Sequence, residues 1–194
     1  MPSAMKLPRE MPPSQFAVRV GPQELGHIVG LRRNLEHAGA LAEWAERYLK
    51  LGWPLVALEA ATGGRLQVDF SRPRQIWRKA LMDASLQGRK VSLAVRLGAF
   101  SRLFVLRVET CRGRLRLDRL GDWRSPWVAA AGAREQHFYL KPLTWRLSGF
   151  QDPDIALLGE TRPALVPPSR DVGSRHPWRW LQAPWETPPP LPPP

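Results

Sequence analysis

Residues 91–109 read VSLAVRLGAFSRLFVLRVE, two apolar runs (91–97 and 103–108) parted by a turn around Gly98. Each run is rich in Val and Leu and shorter than a stable helix, so both are expected to be buried strands. Upstream, within residues 31–52, Leu41, Trp44, Ala45, Tyr48 and Leu49 fall at i, i+3, i+4, i+7 and i+8. That spacing draws one apolar helix face, with Gly52 as its C-cap. Residues 55–58 make a short buried strand. Ser71 is expected to cap a second helix with Trp77, Ala80, Leu81 and Ala84 on one face. Downstream, residues 113–120 alternate strictly, with Leu115 and Leu117 on one side and Arg112, Arg114 and Arg116 on the other, the pattern of a strand. Residues 137–140 and 155–158 are two further strands. Helices and strands interleave, so the fold class is α/β (α+β), a mixed sheet with flanking helices.

The 194 residues suffice for one domain, and 43% hydrophobic content suffices for its core. Residues 1–30 carry scattered prolines and little periodicity and are expected to be a partly disordered extension. The domain spans 31–183, and 184–194 form a proline-rich tail. That tail suits either a solvated polyproline arm or a PxxP ligand. Trp178, Trp180 and Trp185 are expected to pack back onto the domain; exposed, they would offer stacking platforms for bases.

Lys and Arg number 29 against 17 acids, a net charge of +12, and 24 of the 29 are Arg. Arginine favours bidentate contacts to phosphate, although coding rich in G and C raises Arg, Pro and Ala alike. The charge is concentrated: between residues 65 and 124, 13 Arg and two Lys stand against five acids. Three arginines on one strand face could follow a phosphate backbone, or keep a solvated edge strand from aggregating. The single Cys111 excludes a disulfide framework and any Cys-based zinc site. His27, His37 and His176 lack zinc-ligand spacing. Gly63-Gly64-Arg65 is too short for a P-loop, and no G-x-S-x-G elbow occurs. No apolar run reaches about 18 residues and the N-terminus lacks a secretory core, so a cytoplasmic protein with no membrane partner is expected.

Five pieces in order resemble the prim-pol domain at the N-terminus of bifunctional DNA primase/polymerases, in the archaeo-eukaryotic primase superfamily. They are the first amphipathic helix, GWPLVAL (52–58), the helix holding Ile76 and Trp77 followed by residues 91–109, AGAREQHFYL (131–140), and ALLGETRPALVPPSRDVGSRHPWRW (156–180). The resemblance spans about residues 41–180. It implies DNA (single-stranded or primed template) as partner and Mg²⁺ or Mn²⁺ as cofactor if the chain is active. It also implies a separate replicative helicase, since nothing here resembles one.

The family holds its metals with two acids two residues apart on one strand, a third acid on a neighbouring strand, and a histidine at the nucleotide phosphates. The paired positions read Arg107-Val108-Glu109, and a guanidinium cannot ligate a metal ion. Two like charges about 4 Å apart repel by on the order of 4 kcal/mol at an effective dielectric near 20. Ala156 stands where the third acid belongs, with Asp154 as a weak reserve and Glu160 a lesser one. Glu109 and Asp154 are therefore the metal candidates, and Glu109 and His137 the remnant of the catalytic set. Arg112, Arg114, Arg116 and Arg134 are the nucleic-acid candidates.

The expected function is a prim-pol-like DNA replication protein, perhaps of a plasmid, phage or other mobile element. It would bind nucleic acid and nucleotide with its catalysis lost or weakened, as a pseudoenzyme. Two alternatives stay open: an active metal-dependent primase/polymerase, and a basic scaffold recruiting partners through its proline-rich tail.

Overall fold

Helix α1 (Pro22–Lys50) buries Ala38, Leu41, Ala42, Ala45 and Tyr48, the stripe its 3.6-residue period requires. It stops where expected. Gly52 takes φ 75°, a left-handed conformation that glycine adopts without strain, while the N–H groups of Gly52 and Trp53 return to Leu49 and Tyr48 carbonyls. The helix belongs to a computed structural model that describes residues 22–121, 123–141, 152–160, 162–188 and 191–192. Most of the expected N-terminal extension lies outside the described residues, and α1 begins earlier than residue 31.

The remaining elements are β1 (Leu55–Glu59), α2 (Arg74–Leu86), β2 (Val91–Val95), β3 (Leu103–Val108), α3 (Cys111–Arg119), β4 (Trp127–Ala131), β5 (Arg134–Leu140), β6 (Ile155–Leu158), β7 (Ala164–Leu165) and β8 (Arg179–Gln182). They form two sheets, of order β1-β2-β7 and β6-β3-β5-β4-β8. The α+β expectation holds, with one correction: the registered strand pairs are all antiparallel, not mixed. β2 and β3 follow each other in sequence but go to different sheets, joined through a bridge between Gly98 and Leu103.

Strand alternation splits the five-stranded sheet into two faces. Leu103, Val105, Phe138 and Leu158 enter a large core shared with α1, α2 and the smaller sheet. Phe104, Leu106, Val108, Tyr139 and Ile155 face the other way, against Leu117 of α3. Tyr48 ties the large core together: its hydroxyl donates to the Pro167 carbonyl at 2.7 Å and accepts from the Trp180 indole at 2.8 Å.

Two local expectations are corrected. Ser71 does not cap α2; its N–H and O–H both donate to Asp69, and Pro73 occupies the cap position. Proline supplies helix-compatible φ without needing a partner for its nitrogen, and Ser71 sits two residues too early. Residues 113–120 form no strand: α3 covers 113–119 and Leu120 is its C-cap. The Thr110 hydroxyl caps that helix by accepting from the Gly113 N–H at 3.0 Å. Leu117 is 1% exposed and Leu115 61%, so the two leucines do not share a face. The stretch lacks β-branched residues and is rich in Arg and Leu, good helix formers, a signal the alternation overshadowed.

The tail packs back as far as Thr187. Trp185 lies against Trp44 and Tyr48, with the Arg47 guanidinium over the rings of Trp44 and Trp185. The Trp127 indole N–H donates to the Thr187 carbonyl at 3.1 Å. Trp178 is fully buried and Trp180 half-buried, so the expected packing of these tryptophans is what the structure has. Among the described residues, no helix is long and apolar enough to cross a membrane.

Candidate functional site

The end of β3 assembles the expected acid positions on the large-core face. Arg107 pairs in register with Ala156 of β6 on one side and Gln136 of β5 on the other. Directly opposed residues in an antiparallel pair project to the same side, so these three share one face. Glu109 follows just beyond the strand, its N–H bonded to the Asp154 carbonyl at 2.9 Å. Its carboxylate accepts from Arg107 Nε at 2.5 Å, and the two side chains are 27% and 29% exposed. The guanidinium therefore neutralises Glu109 from within the chain.

Gln136 is wholly buried, and neither amide atom meets a hydrogen-bond partner among the described residues. Such unpaired burial costs about 1–3 kcal/mol per group. Nothing in the sequence reading singled out this residue. Its signal was the alternation of β5, which sends residues 134, 136 and 138 to the large-core face.

The same alternation sends His137 to the opposite face, beneath α3, where it pairs in register with Leu106. The ring is 2% exposed, and its Nε2 lies 3.2 Å from Glu135 Oε2. Glu135 in turn accepts from Arg114 at 2.7 Å. Burial pushes the imidazole pKa below its ordinary value, against the opposing pull of Glu135. A lowered folded-state value means that the unfolded chain binds the extra proton more readily. Its stabilising contribution is thus complete above the unfolded value near 6.5 and is lost as pH falls. Melting temperature should hold steady from neutral pH down to about 6.5 and drop below it, and a His137→Phe chain should lose that part of the drop in a pH series of thermal melts.

The other candidates are engaged elsewhere. The Asp154 carboxylate accepts from the Thr110 hydroxyl at 2.8 Å and lies 3.5 Å from Arg116 and 3.9 Å from Arg112. Asp152 takes Arg116 at 2.7 Å, and its pKa is lowered, first by the Asp154 backbone N–H and further by Arg116. Gly113 makes this approach possible, since a Cβ there would come within 2.5 Å of the Asp154 carbonyl oxygen. The three arginines expected on one strand face thus ride on a helix, each beside a carboxylate of another element. Arg134 lies on the large-core face, bridged to Asp171 at 2.5 Å, donating to Ser174 at 3.1 Å and stacked over Trp178.

Positive charge without an acidic partner lies elsewhere. A cavity of about 810 Å³ beside Trp53 and Pro54 is lined by Arg65 and Arg96, with Asp69 as its only acid among the described residues. Neither arginine forms an ion pair with a described residue, and Arg96 covers the ring of Phe100, which is 70% exposed.

The divalent metals implied by the resemblance do not fit these residues. One carboxylate carries its own arginine, the register neighbour is a methyl group, and Asp154 is held by α3. Among the described residues, no group of three or more His, Cys, Asp or Glu is placed to hold a metal ion. Comparison with curated proteins finds no match. The family model for the N-terminal domain of bifunctional DNA primase/polymerases (Prim-Pol) matches residues 45–194. That match takes in every strand, α2, α3 and the end of α1 from residue 45, and on it the chain belongs to the Prim-Pol family.

Proposed function

We propose that this Prim-Pol domain serves DNA replication by binding nucleic acid, with metal-dependent nucleotidyl transfer lost. The observation that carries the reading is the Arg107–Glu109 pair at 2.5 Å, set in register with Ala156. A fixed cation stands where the family chemistry would gather divalent ions, and the face is two carboxylates short. Nucleic-acid contact draws on the cations with reach to solvent: Arg65 and Arg96 at the cavity, and Arg112, whose side chain is 76% exposed.

Primer extension with Mn²⁺ and deoxynucleotides, beside a salt titration of single-stranded DNA binding, tests this. The expected result is no incorporation, with affinity falling steeply as salt rises, by a log–log slope of about 0.7 per phosphate contact. Glu109→Ala should leave that affinity unchanged. Incorporation that Glu109→Ala abolishes would establish the active-enzyme alternative instead. Salt-insensitive or absent binding would remove nucleic acid from the account.

A further inference from the structure

We infer that a second, smaller cavity, formed by α1, the start of β2 and the segment after Pro168, is a binding site for a phosphate monoester. The cavity measures about 230 Å³, and Asn34, His37, Lys90, Ser92, Ser169 and Arg170 supply its polar lining. No carboxylate lines it among the described residues. Neither Lys90 nor Arg170 forms an ion pair with a described residue, in contrast to Arg112, Arg114 and Arg116 of α3. The sequence holds these groups in three distant stretches, and none of the residues at the end of β3 contributes.

The backbone under both cations is clamped. Ser92 is 2% exposed; its hydroxyl donates to the Arg170 carbonyl at 3.1 Å and accepts from the Arg170 N–H at 3.2 Å. Ser169, equally buried, accepts from the Leu93 N–H at 2.5 Å and donates to the Leu93 carbonyl at 2.9 Å. The Lys90 carbonyl accepts from the Ala60 N–H at 2.7 Å, tying it to the end of β1. With the backbone held, only the side-chain freedom of the two cations is lost when they close on an anion.

The dimensions and charge choose the occupant. The volume is that of about eight water molecules in the liquid, enough for a phosphate group and its residual waters. A terminal phosphate carries about −1.5 to −2 at neutral pH, matching one Lys and one Arg, whereas an internal phosphodiester carries a single charge and is flanked on both sides. Asn34 and His37 add hydrogen-bonding side chains. The terminal phosphate could come from the end of a nucleic acid or from a free nucleotide, and both present the same group.

The test is calorimetric titration of the full chain with inorganic phosphate at constant ionic strength. The same titration is then run with one oligonucleotide carrying either a 5′-phosphate or a 5′-hydroxyl, and with deoxyadenosine monophosphate. Saturable phosphate binding is expected, with a preference of roughly tenfold or more for the phosphorylated end or for the monophosphate. Lys90→Met with Arg170→Met should erase the preference; both side chains belong to exposed residues, and an unchanged melting curve shows that the fold survives. Stronger binding of the phosphorylated oligonucleotide than of the monophosphate identifies a nucleic-acid end as the source, and the reverse identifies a free nucleotide. Equal affinity for the two oligonucleotides with no saturable phosphate binding overturns the site. So does a preference that the double variant keeps. Because the preference compares two ends of one oligonucleotide, it is read independently of whether the chain extends primers or how tightly it holds internal phosphates.

Discussion

Arg107→Asp combined with Ala156→Asp is expected to turn a chain without saturable Mn²⁺ binding into one that binds the ion. The two positions are register partners on adjacent strands, and Glu109 lies two residues along the same strand direction, so the double change sets three carboxylates on one face. It also removes a cation that would repel each divalent ion by twice the unit-charge value, about 8 kcal/mol at 4 Å and an effective dielectric near 20. Gln136, buried beside them without a partner, adds an amide oxygen, a suitable ligand for a hard cation. The single changes separate the two effects. Ala156→Asp alone should pair with Arg107 and bind nothing. Arg107→Ala alone should lift the repulsion but leave too few ligands. Loss of the free Mn²⁺ resonance on titration reads all four chains. A folded double variant that leaves the resonance untouched would show that Arg107 is not what excludes the ion. Glu109-dependent binding by the native chain would show the same.

Trp178→Ala is expected to give the largest loss of stability. The indole is fully buried within the large core, its backbone N–H is bonded to the Ser169 carbonyl at 2.8 Å, and the Arg134 guanidinium lies over its ring. Truncating a buried Trp to Ala typically costs about 3–5 kcal/mol, through lost burial and the cavity left behind. At about 2–4 °C per kcal/mol for a chain of this size, the melting temperature should fall by roughly 6–20 °C. Affinity for single-stranded DNA, measured below the new transition, should not change, because no base can reach a residue with no exposed surface. An equal loss of affinity and little loss of stability would instead place Trp178 among the stacking residues.

The helices and strands of the core were legible because their signals are local. The spacing of Leu41, Ala45 and Tyr48, the φ of Gly52, and the apolar runs at 91–95 and 103–108 each depend on neighbours within a few residues. The juxtaposition of Arg107, Glu109 and Ala156 was also legible through the family resemblance, since the order of motifs carries the strand pairing with it. The short strands β4, β7 and β8 were not, because each is completed by partners far along the chain.

What the sequence by itself determined, then, is an α+β Prim-Pol chain, with Arg107 and Ala156 where the resemblance leads one to expect metal-binding acids. Tertiary structure decided three things. Residues 111–119 are a helix because Thr110 caps them and Leu117 finds a core beneath the sheet, although their alternation serves a strand equally well. His137 turns from the Arg107 face because strand register gives that place to Gln136, one residue away, and a one-residue difference in a strand reverses the side. Arg112, Arg114 and Arg116 meet carboxylates from outside α3, while Lys90 and Arg170 meet none among the described residues. Net charge is a property of composition. Which charges remain free depends on distances in space, and those are set by the packing of segments that the sequence keeps apart.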